Sequence, residues 1–202
     1  MAGAAAQALP GATGPVRAPL FRSLVERMED GGRWVILDLG PARPESIDLF
    51  GRFRCRLEIA DLADDLDALV PPDEAGEELL RERMENALPP RNPEPVDVVL
   101  CWDLLNYLQP AALPALSSRL AARGLPGTLV HALVAYRDPL MPALPGGFFP
   151  VDGEHLVRRN GAPDERPAPR YSPEELGKAF REFSIERAIL LGNGMQEFLF
   201  RL

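Results

Sequence analysis

Three polar residues close behind an apolar run are the first candidates for chemistry. Asp103, Asn106 and Tyr107 follow the run at 96–101 and precede Pro110. A carboxylate, an amide and a phenol at the end of a buried strand could line a substrate cleft. Tyr107 would be a poor base, because the reference pKa of tyrosine is about 10. A helix cap with a half-buried tyrosine explains the same residues equally well.

Another acid, Asp38, ends the apolar run 34–37 and stands two residues before Gly40. The carboxyl ends of parallel strands form the ligand crevice of such sheets, so Asp38 and Gly40 could face a cofactor. A strand end followed by a helix-capping turn is the alternative interpretation. Asp61 opens an acidic stretch, 61–67, which a solvated helix start also explains.

Residue content and spacing exclude several other kinds of chemistry. Cys55 and Cys101 are too few for a disulfide framework, and the chain has no CxxC pair for zinc. His131 falls inside an apolar run and is expected in the core, whereas His155 has no specified partner. We therefore predict no metal site. The spacing supports neither a Ser-His-Asp arrangement nor a phosphate loop nor paired catalytic carboxylates.

Composition limits the partners. The chain has 202 residues, 26% of them charged and 46% hydrophobic, with a net charge of −8. These values fit one domain of average size and exclude disorder throughout. The negative charge argues against a nucleic-acid or anionic-membrane partner. No apolar run approaches a membrane span, and the start lacks the basic region of a signal peptide, so cytoplasm is the expected location.

The elements that would position these residues alternate along the chain. The predicted strands are 34–38, 53–59, 96–101 and 128–135. The predicted helices begin near Pro19, Pro44, Leu113 and Ser172, with two more between 62 and 88. Ser172 opens a capping box, and Pro follows it at the first helical position. We find no convincing strand between 62 and 95.

Two segments depart from this alternation. Residues 1–16 are predicted to be a flexible tail, which leaves 17–202 as a single domain. Residues 138–170 contain seven prolines and are expected to form a long irregular loop or lid. The adjacent Phe148 and Phe149 favour a lid, because two exposed aromatic rings are stabilised by packing on a cleft.

The end of the chain predicts a hairpin. Asn193 and Gly194 stand between the strand-like runs 185–191 and 195–202, and Asn-Gly is a strong hairpin signal. The whole order predicts an α/β fold, a Rossmann-like, mostly parallel sheet with helices on both faces and a C-terminal antiparallel hairpin. One edge strand is expected to be missing, because none is predicted between 62 and 95.

From about residue 33 to 202 the sequence resembles the class I S-adenosylmethionine-dependent methyltransferase family, as a degenerate member. Residues 34–40, Trp-Val-Ile-Leu-Asp-Leu-Gly, look like its first motif. Asp61, 23 residues after Asp38, stands where the family places the acid that holds the ribose hydroxyls. Residues 96–108 resemble the fourth-strand motif, and the hairpin is similar to the family's reversed last strand.

The resemblance implies S-adenosylmethionine as cofactor and transfer of a methyl group to a small molecule or a protein. The residues so implied are, for the cofactor, Asp38, Gly40, Asp61 and Asp103 and, for catalysis, Asn106 and Tyr107. Tyr107 would stand near the transferred methyl group. The oligomeric state is not predicted.

The first motif also departs from the family pattern. The family usually has glycine where this chain has Ala42 and Pro44, and Pro41 and Pro44 lack an N–H that could face a ligand. Glu45 would compete with a ligand carboxylate for the positive end of the following helix. These departures and the missing strand favour a second hypothesis, a catalytically inactive, methyltransferase-derived binding or scaffold module.

Overall fold

The structure, a computed structural model, describes residues 14–70, 77–145, 147–159 and 164–202. Its strands are β1 Val16–Arg17, β2 Trp34–Asp38, β3 Cys55–Ile59, β4 Val96–Trp102, β5 Gly124–Ala135, β6 Leu140–Pro142, β7 Phe148–Pro150, β8 His155–Arg158, β9 Glu165–Pro167, β10 Ser184–Leu190 and β11 Met195–Arg201. Its α-helices are α1 Pro19–Glu29, α2 Pro44–Phe50, α3 Glu77–Ala87, α4 Ala112–Ala121 and α5 Pro173–Ala179. Within these ranges no helix combines the length and the apolar content needed to cross a bilayer.

Six of these strands form the central sheet, in the order β10-β11-β5-β4-β2-β3. The four strands β3, β2, β4 and β5 run parallel to one another. β11 lies antiparallel to both β5 and β10. The parallel strands bring their carboxyl ends to one edge, where a ligand crevice is expected.

Alternate side chains of the central strands face two hydrophobic cores. Ile36 of β2 packs with α1 and α2 on one face, whereas its neighbour Leu37 packs with α3, α4 and α5 on the other. This alternation follows from the two-residue repeat of a strand. The predicted mostly parallel α/β sheet with helices on both faces is therefore confirmed.

The C-terminal hairpin is also confirmed. Leu191 donates its N–H to the carbonyl of Met195 at 2.8 Å, and Gly194 donates to the carbonyl of Leu191 at 3.1 Å. The φ of Gly194 is 84°, in the left-handed region that glycine adopts without strain. The connection is thus a three-residue loop whose last residue is left-handed, rather than a two-residue Asn-Gly turn.

The prediction that 138–170 is irregular was wrong for much of its described part. It contains β6, β7, β8 and β9; β7 and β8 form a small sheet with β1, and β6 pairs with β9. Pro142, Pro150 and Pro167 are each the last residue of their strand, so their missing N–H groups interrupt little of the ladder. The predicted tail 1–16 lies mostly outside the described residues, but Val16 pairs with β8 and is therefore not part of a free tail.

A buried acid from the last strand caps the first helix. The backbone N–H groups of Leu20 and Phe21 donate to the two carboxylate oxygens of Glu197, at 2.9 and 2.8 Å. The Nε2 atom of His131 lies 2.8 Å from the same carboxylate, and both side chains are fully buried. Glu197 thus satisfies two helix-terminal donors that α1 could not pair internally. His131 is a core residue, as predicted.

Candidate functional site

Asp38 lies at the carboxyl end of β2 and is almost fully buried. Its Oδ1 atom accepts hydrogen bonds from the backbone N–H of Gly40 at 2.9 Å and from the indole Nε1 of Trp102 at 2.5 Å. Trp102 is the last residue of the neighbouring strand β4. The two predicted cofactor-loop residues are therefore held together and tied to an indole from the next strand.

The environment of Asp38 changes its acidity. Burial raises the pKa of Asp38 to about 6, and the negative charge of Asp61 adds to the increase. The hydrogen bonds from Gly40 and Trp102 oppose it. The folded protein therefore holds this carboxylate in its charged form only above about pH 6, while an exposed aspartate ionises near pH 4.

Replacing Asp38 with asparagine is expected to stabilise the domain more at pH 7.5 than at pH 4.5. A folded-state pKa above the unfolded value makes ionisation costly to the native state, so wild-type stability from this group falls as the pH rises from about 4 to 6. The difference between the two proteins should change by on the order of 3 kcal/mol across that window. Urea unfolding at several pH values measures it. A constant difference would show that Asp38 ionises normally.

A small cleft separates the loop after β2 from the end of β4, and its volume is only about 10 Å³. Its lining residues are Leu39, Gly40, Pro41, Asp61, Ala63, Cys101, Trp102, Asp103, Leu104, Pro145 and Gly147. The indole of Trp102 packs so closely on the loop that a Cβ at Gly40 would lie 2.7 Å from its Cδ1 atom. Glycine is needed at position 40 for this contact. Three of the four predicted cofactor residues, Gly40, Asp61 and Asp103, line this cleft. The fourth, Asp38, lies behind it and bonds to Gly40 and Trp102.

Asp61 follows β3 and precedes a 3₁₀ turn at Leu62–Asp65, which replaces the first part of the helix predicted after residue 62. Its Oδ1 atom accepts the N–H of Ala63 at 3.2 Å. Burial and the charges of neighbouring acids raise the pKa of Asp61, while this hydrogen bond and the nearby Arg43 lower it in part. Asp61 therefore caps a turn while its side chain borders the cleft.

A larger cavity of about 480 Å³ opens beside the small cleft. Its wall includes Asp103, Tyr107, Phe148 and Arg158, and Asp103 borders the small cleft as well. Phe148 and Phe149 are both buried. The volume lies in the range of small-molecule sites, about 300–1,000 Å³, and the wall combines apolar surface with a few charged groups.

Asn106 holds two strand ends together. Its Nδ2 donates to the carbonyl oxygens of Asp103 and Leu133 at 2.8 and 2.9 Å, and its Oδ1 accepts the N–H of Ala135 at 2.8 Å. All three bonds are to backbone groups, and the side chain is buried. These contacts support a role in positioning the strand ends rather than in proton transfer.

Tyr107 belongs to a polar group on the cavity wall. Arg158 donates from Nη2 to the phenol oxygen of Tyr107 at 3.2 Å, and the same atom lies 3.6 Å from Oδ2 of Asp103. Burial and the charge of Asp103 raise the pKa of Tyr107, although Arg158 and Arg166 oppose the increase. Tyr107 is therefore unsuited to act as a base near neutral pH, as its residue type predicts.

Sequence reasoning missed two residues of this region. Arg158 lies far along the chain, in a segment predicted to be irregular, and no signal pointed to it. Glu197 had a signal, because it is a lone acid in an apolar strand near the end of the chain, as His131 is a lone polar residue in another. If their strands had been predicted to lie next to each other, Glu197 and His131 could have been predicted to pair. No group of three or more His, Cys, Asp or Glu side chains in the described ranges is placed to hold a metal ion.

Solved structures resemble this chain in fold. A glycopeptide N-methyltransferase, MtfA, crystallised with S-adenosylhomocysteine, is 14% identical, with a TM-score of 0.51 and coverage of 92% of this chain and 89% of its own. An S-adenosylmethionine-dependent methyltransferase from Clostridium acetobutylicum ATCC 824 is also 14% identical, with a TM-score of 0.52 and coverage of 92% of both chains. No protein-family model matches the chain, and no curated protein matches it in sequence. The chain has the class I methyltransferase fold.

The cofactor of that fold can be tested against the small cleft. The carboxylate of Asp61 borders it, and that of Asp38 bonds to two of its lining residues, Gly40 and Trp102. Ligand sites measure about 300 Å³ or more, whereas this cleft measures about 10 Å³ and the indole of Trp102 already bonds to Asp38. The polar groups suit S-adenosylmethionine, but the cleft in this arrangement does not accommodate it.

Proposed function

We propose that the protein is an S-adenosylmethionine-dependent methyltransferase that acts on a small molecule bound in the 480 Å³ cavity. The position of Asp103 carries the proposal, because this residue borders both the cavity and the small cleft beside Asp38. A methyl donor bound in the small cleft and a methyl acceptor bound in the cavity would meet at Asp103. The fold shared with the two solved methyltransferases supports this class of function.

Each site residue has a part in the proposal. Asp38, Gly40 and Asp61 would hold the cofactor, with Asp103 at the junction. Asn106 and Tyr107 would shape the site, since neither is suited to take a proton. An activated methyl donor needs positioning and exclusion of water more than it needs a base. The described parts of segment 138–170 would cover the substrate, with Phe148 in the cavity wall.

The proposal extends to the surroundings of the domain. We infer a cytoplasmic protein without nucleic-acid or membrane partners, a conclusion supported by its net charge of −8. We also infer that residues 17–202 act as a single domain whose sheet lacks one edge strand. Between 60 and 95 the described residues form a 3₁₀ turn and α3, and β3 is the edge of the sheet.

Two observations favour a second candidate, the catalytically inactive binding module. Pro41 removes a backbone donor from the loop after β2, and Pro44 removes one from the start of α2. The indole of Trp102 is bonded to Asp38, and the cleft that it lines measures only about 10 Å³. In this case the 480 Å³ cavity would still bind a small molecule, but no methyl group would be transferred.

Calorimetric titration with S-adenosylmethionine and S-adenosylhomocysteine separates the two candidates. A methyltransferase should bind both, and should transfer a labelled methyl group to some member of a panel of small amines, phenols and carboxylic acids. A folded protein that binds neither compound at millimolar concentration would contradict the proposal. Ligands of the cavity would then point to the binding module.

Replacing Asp61 with alanine is expected to weaken the binding of S-adenosylhomocysteine by roughly tenfold or more, because a charged acceptor of hydroxyl groups contributes about 1.5–3 kcal/mol. The exposed Asp64 and Asp67 are matched controls, and their alanine variants should bind within about twofold of wild type. Asp61→Asn retains an oxygen for the N–H of Ala63 and tests whether a lost turn cap is responsible. Equal affinities in all variants would remove Asp61 from the site.

A further inference from the structure

The side chain of Trp102 forms part of the wall of the small cleft. It is 2% exposed, and its Nε1 donates to Asp38 at 2.5 Å. Its ring lies 5.9 Å from the ring of Phe21 and 6.3 Å from that of His131, measured between centroids. The indole is therefore held by a hydrogen bond on one side and by aromatic rings on the other.

The backbone at Trp102 is strained to place the ring there. Its φ is 48°, in the left-handed region that a bulky residue rarely adopts. The pairing of β4 with β5 also shifts register between Leu100 and Trp102. A strained residue persists only where its surroundings hold it, and such residues cluster at ligand sites and switches.

The loop after β2 is shaped to receive the indole. Gly40 leaves room for the ring, which a Cβ there would meet at 2.7 Å. On the outer side, Gly147 packs against Pro41 and Arg43, where a Cβ would lie 3.3 Å from the proline ring and 2.7 Å from the guanidinium. The small cleft is thus closed on one side by the indole of Trp102 and on the other by the backbone at Gly147.

We propose that Trp102 is a gate that keeps the cofactor cleft closed until a ligand ammonium group replaces its indole N–H at Asp38. The inference rests on the proposed function, because it takes S-adenosylmethionine as the ligand whose amino-acid end meets Asp38. A hydrogen bond from an ammonium to a carboxylate is stronger than one from a neutral indole, so the exchange favours the ligand. Release of the strained backbone at Trp102 favours opening as well.

The gate weakens apparent binding because only the fraction of molecules with an open cleft can bind the ligand. A closed state that holds about nine-tenths of the molecules raises the apparent Kd about tenfold over that of the open state. Trp102→Ala should therefore bind S-adenosylhomocysteine at least about tenfold more tightly than wild type. Trp34→Ala is the matched control, because it removes the chain's other tryptophan, away from the small cleft, and should leave the Kd unchanged.

The movement itself can be followed in a Trp34→Phe protein, in which Trp102 is the only tryptophan. Acrylamide should quench Trp102 weakly in the free protein and more strongly with S-adenosylhomocysteine. Methylthioadenosine lacks the amino-acid end, so it should leave the quenching unchanged. This measurement decides the question even if Trp102→Ala fails to fold.

The outcomes separate the gate from the function. Tighter binding by Trp102→Ala together with ligand-dependent quenching of Trp102 supports the gate. Equal affinities with constant quenching would overturn the gate and leave the methyltransferase proposal standing. No binding by wild type or by a folded Trp102→Ala protein, with unchanged quenching, would overturn both.

Discussion

Replacing Glu197 with alanine is expected to destabilise the domain by about 3 kcal/mol or more, because each buried polar group left without a partner costs about 1–3 kcal/mol. The change would leave His131 and the N–H groups of Leu20 and Phe21 without their carboxylate, at fully buried positions. Urea unfolding at pH 7 measures the loss. Glu174→Ala, at an exposed ion pair with Lys178, is the control and should cost less than about 1 kcal/mol. A similar small loss in both variants would contradict the assignment of Glu197 as the cap of α1.

The same carboxylate predicts a dependence on acid. Burial alone would raise the pKa of Glu197, but the hydrogen bonds from His131 and from the start of α1 outweigh burial and lower it. A lowered folded-state pKa gives stability that is present above the unfolded value, near pH 4.5, and is lost as the pH falls through the folded value. Glu197→Gln should therefore lose less stability than wild type when the pH is lowered from about 5 to 3.

Replacing Asn106 with alanine is expected to cost about 3 kcal/mol or more, because each buried polar group left without a partner costs about 1–3 kcal/mol. Three backbone groups lose their partner: the carbonyls of Asp103 and Leu133 and the N–H of Ala135. Since Asp103 borders both cavities, ligand binding should weaken in parallel with stability. Thermal unfolding and calorimetry measure the two effects.

Asn92→Ala is the matched control for Asn106. Asn92 makes one local hydrogen bond, from the N–H of Glu94 at 3.2 Å, and its loss should cost less than about 1 kcal/mol. If Asn106→Ala instead kept full stability and lost only methyl transfer, Asn106 would act in catalysis and its positioning role would be wrong.

The sheet and the hairpin could be predicted because local patterns determine them. The apolar run 34–37, the run 96–101 and the Asn-Gly pair before Met195 each specify an element through burial or turn chemistry within a few residues. The capping box at Ser172 is of the same kind, and the structure shows both of its reciprocal bonds. Such signals do not depend on distant parts of the chain.

The strands within 138–170 could not be predicted in this way. Val16 pairs with Leu156, and β6 pairs with β9 across most of the segment, so both ladders depend on partners that are distant in the sequence. The prolines that suggested a loop stand at strand ends, where they interrupt little pairing. Residue propensity marks proline as unfavourable in a strand, but it does not show that these prolines lie at strand ends.

The polar residues of the site were predicted better than its shape. Gly40, Asp61 and Asp103 line one cleft and Asp38 bonds to Gly40 beside it, because parallel strands end at this edge of the sheet. The closure of the cleft depends on the backbone angle of Trp102 and on the space above Gly40, which sequence spacing does not encode. The order of strands in the sequence therefore predicts where the crevice lies, whereas side-chain packing determines whether it is open.

The capping of α1 by Glu197 has a consequence for folding during synthesis. Leu20 and Glu197 are 177 positions apart, so the first helix leaves the ribosome long before its capping acid is made. A domain generally folds as a unit once enough of its chain has emerged. Here α1 must wait, with its first N–H groups open to water, until β11 is available to pair with β5. Docking of α1 is thus expected to be among the latest folding events, and α1 should gain full protection from hydrogen exchange only after β11 has paired with β5.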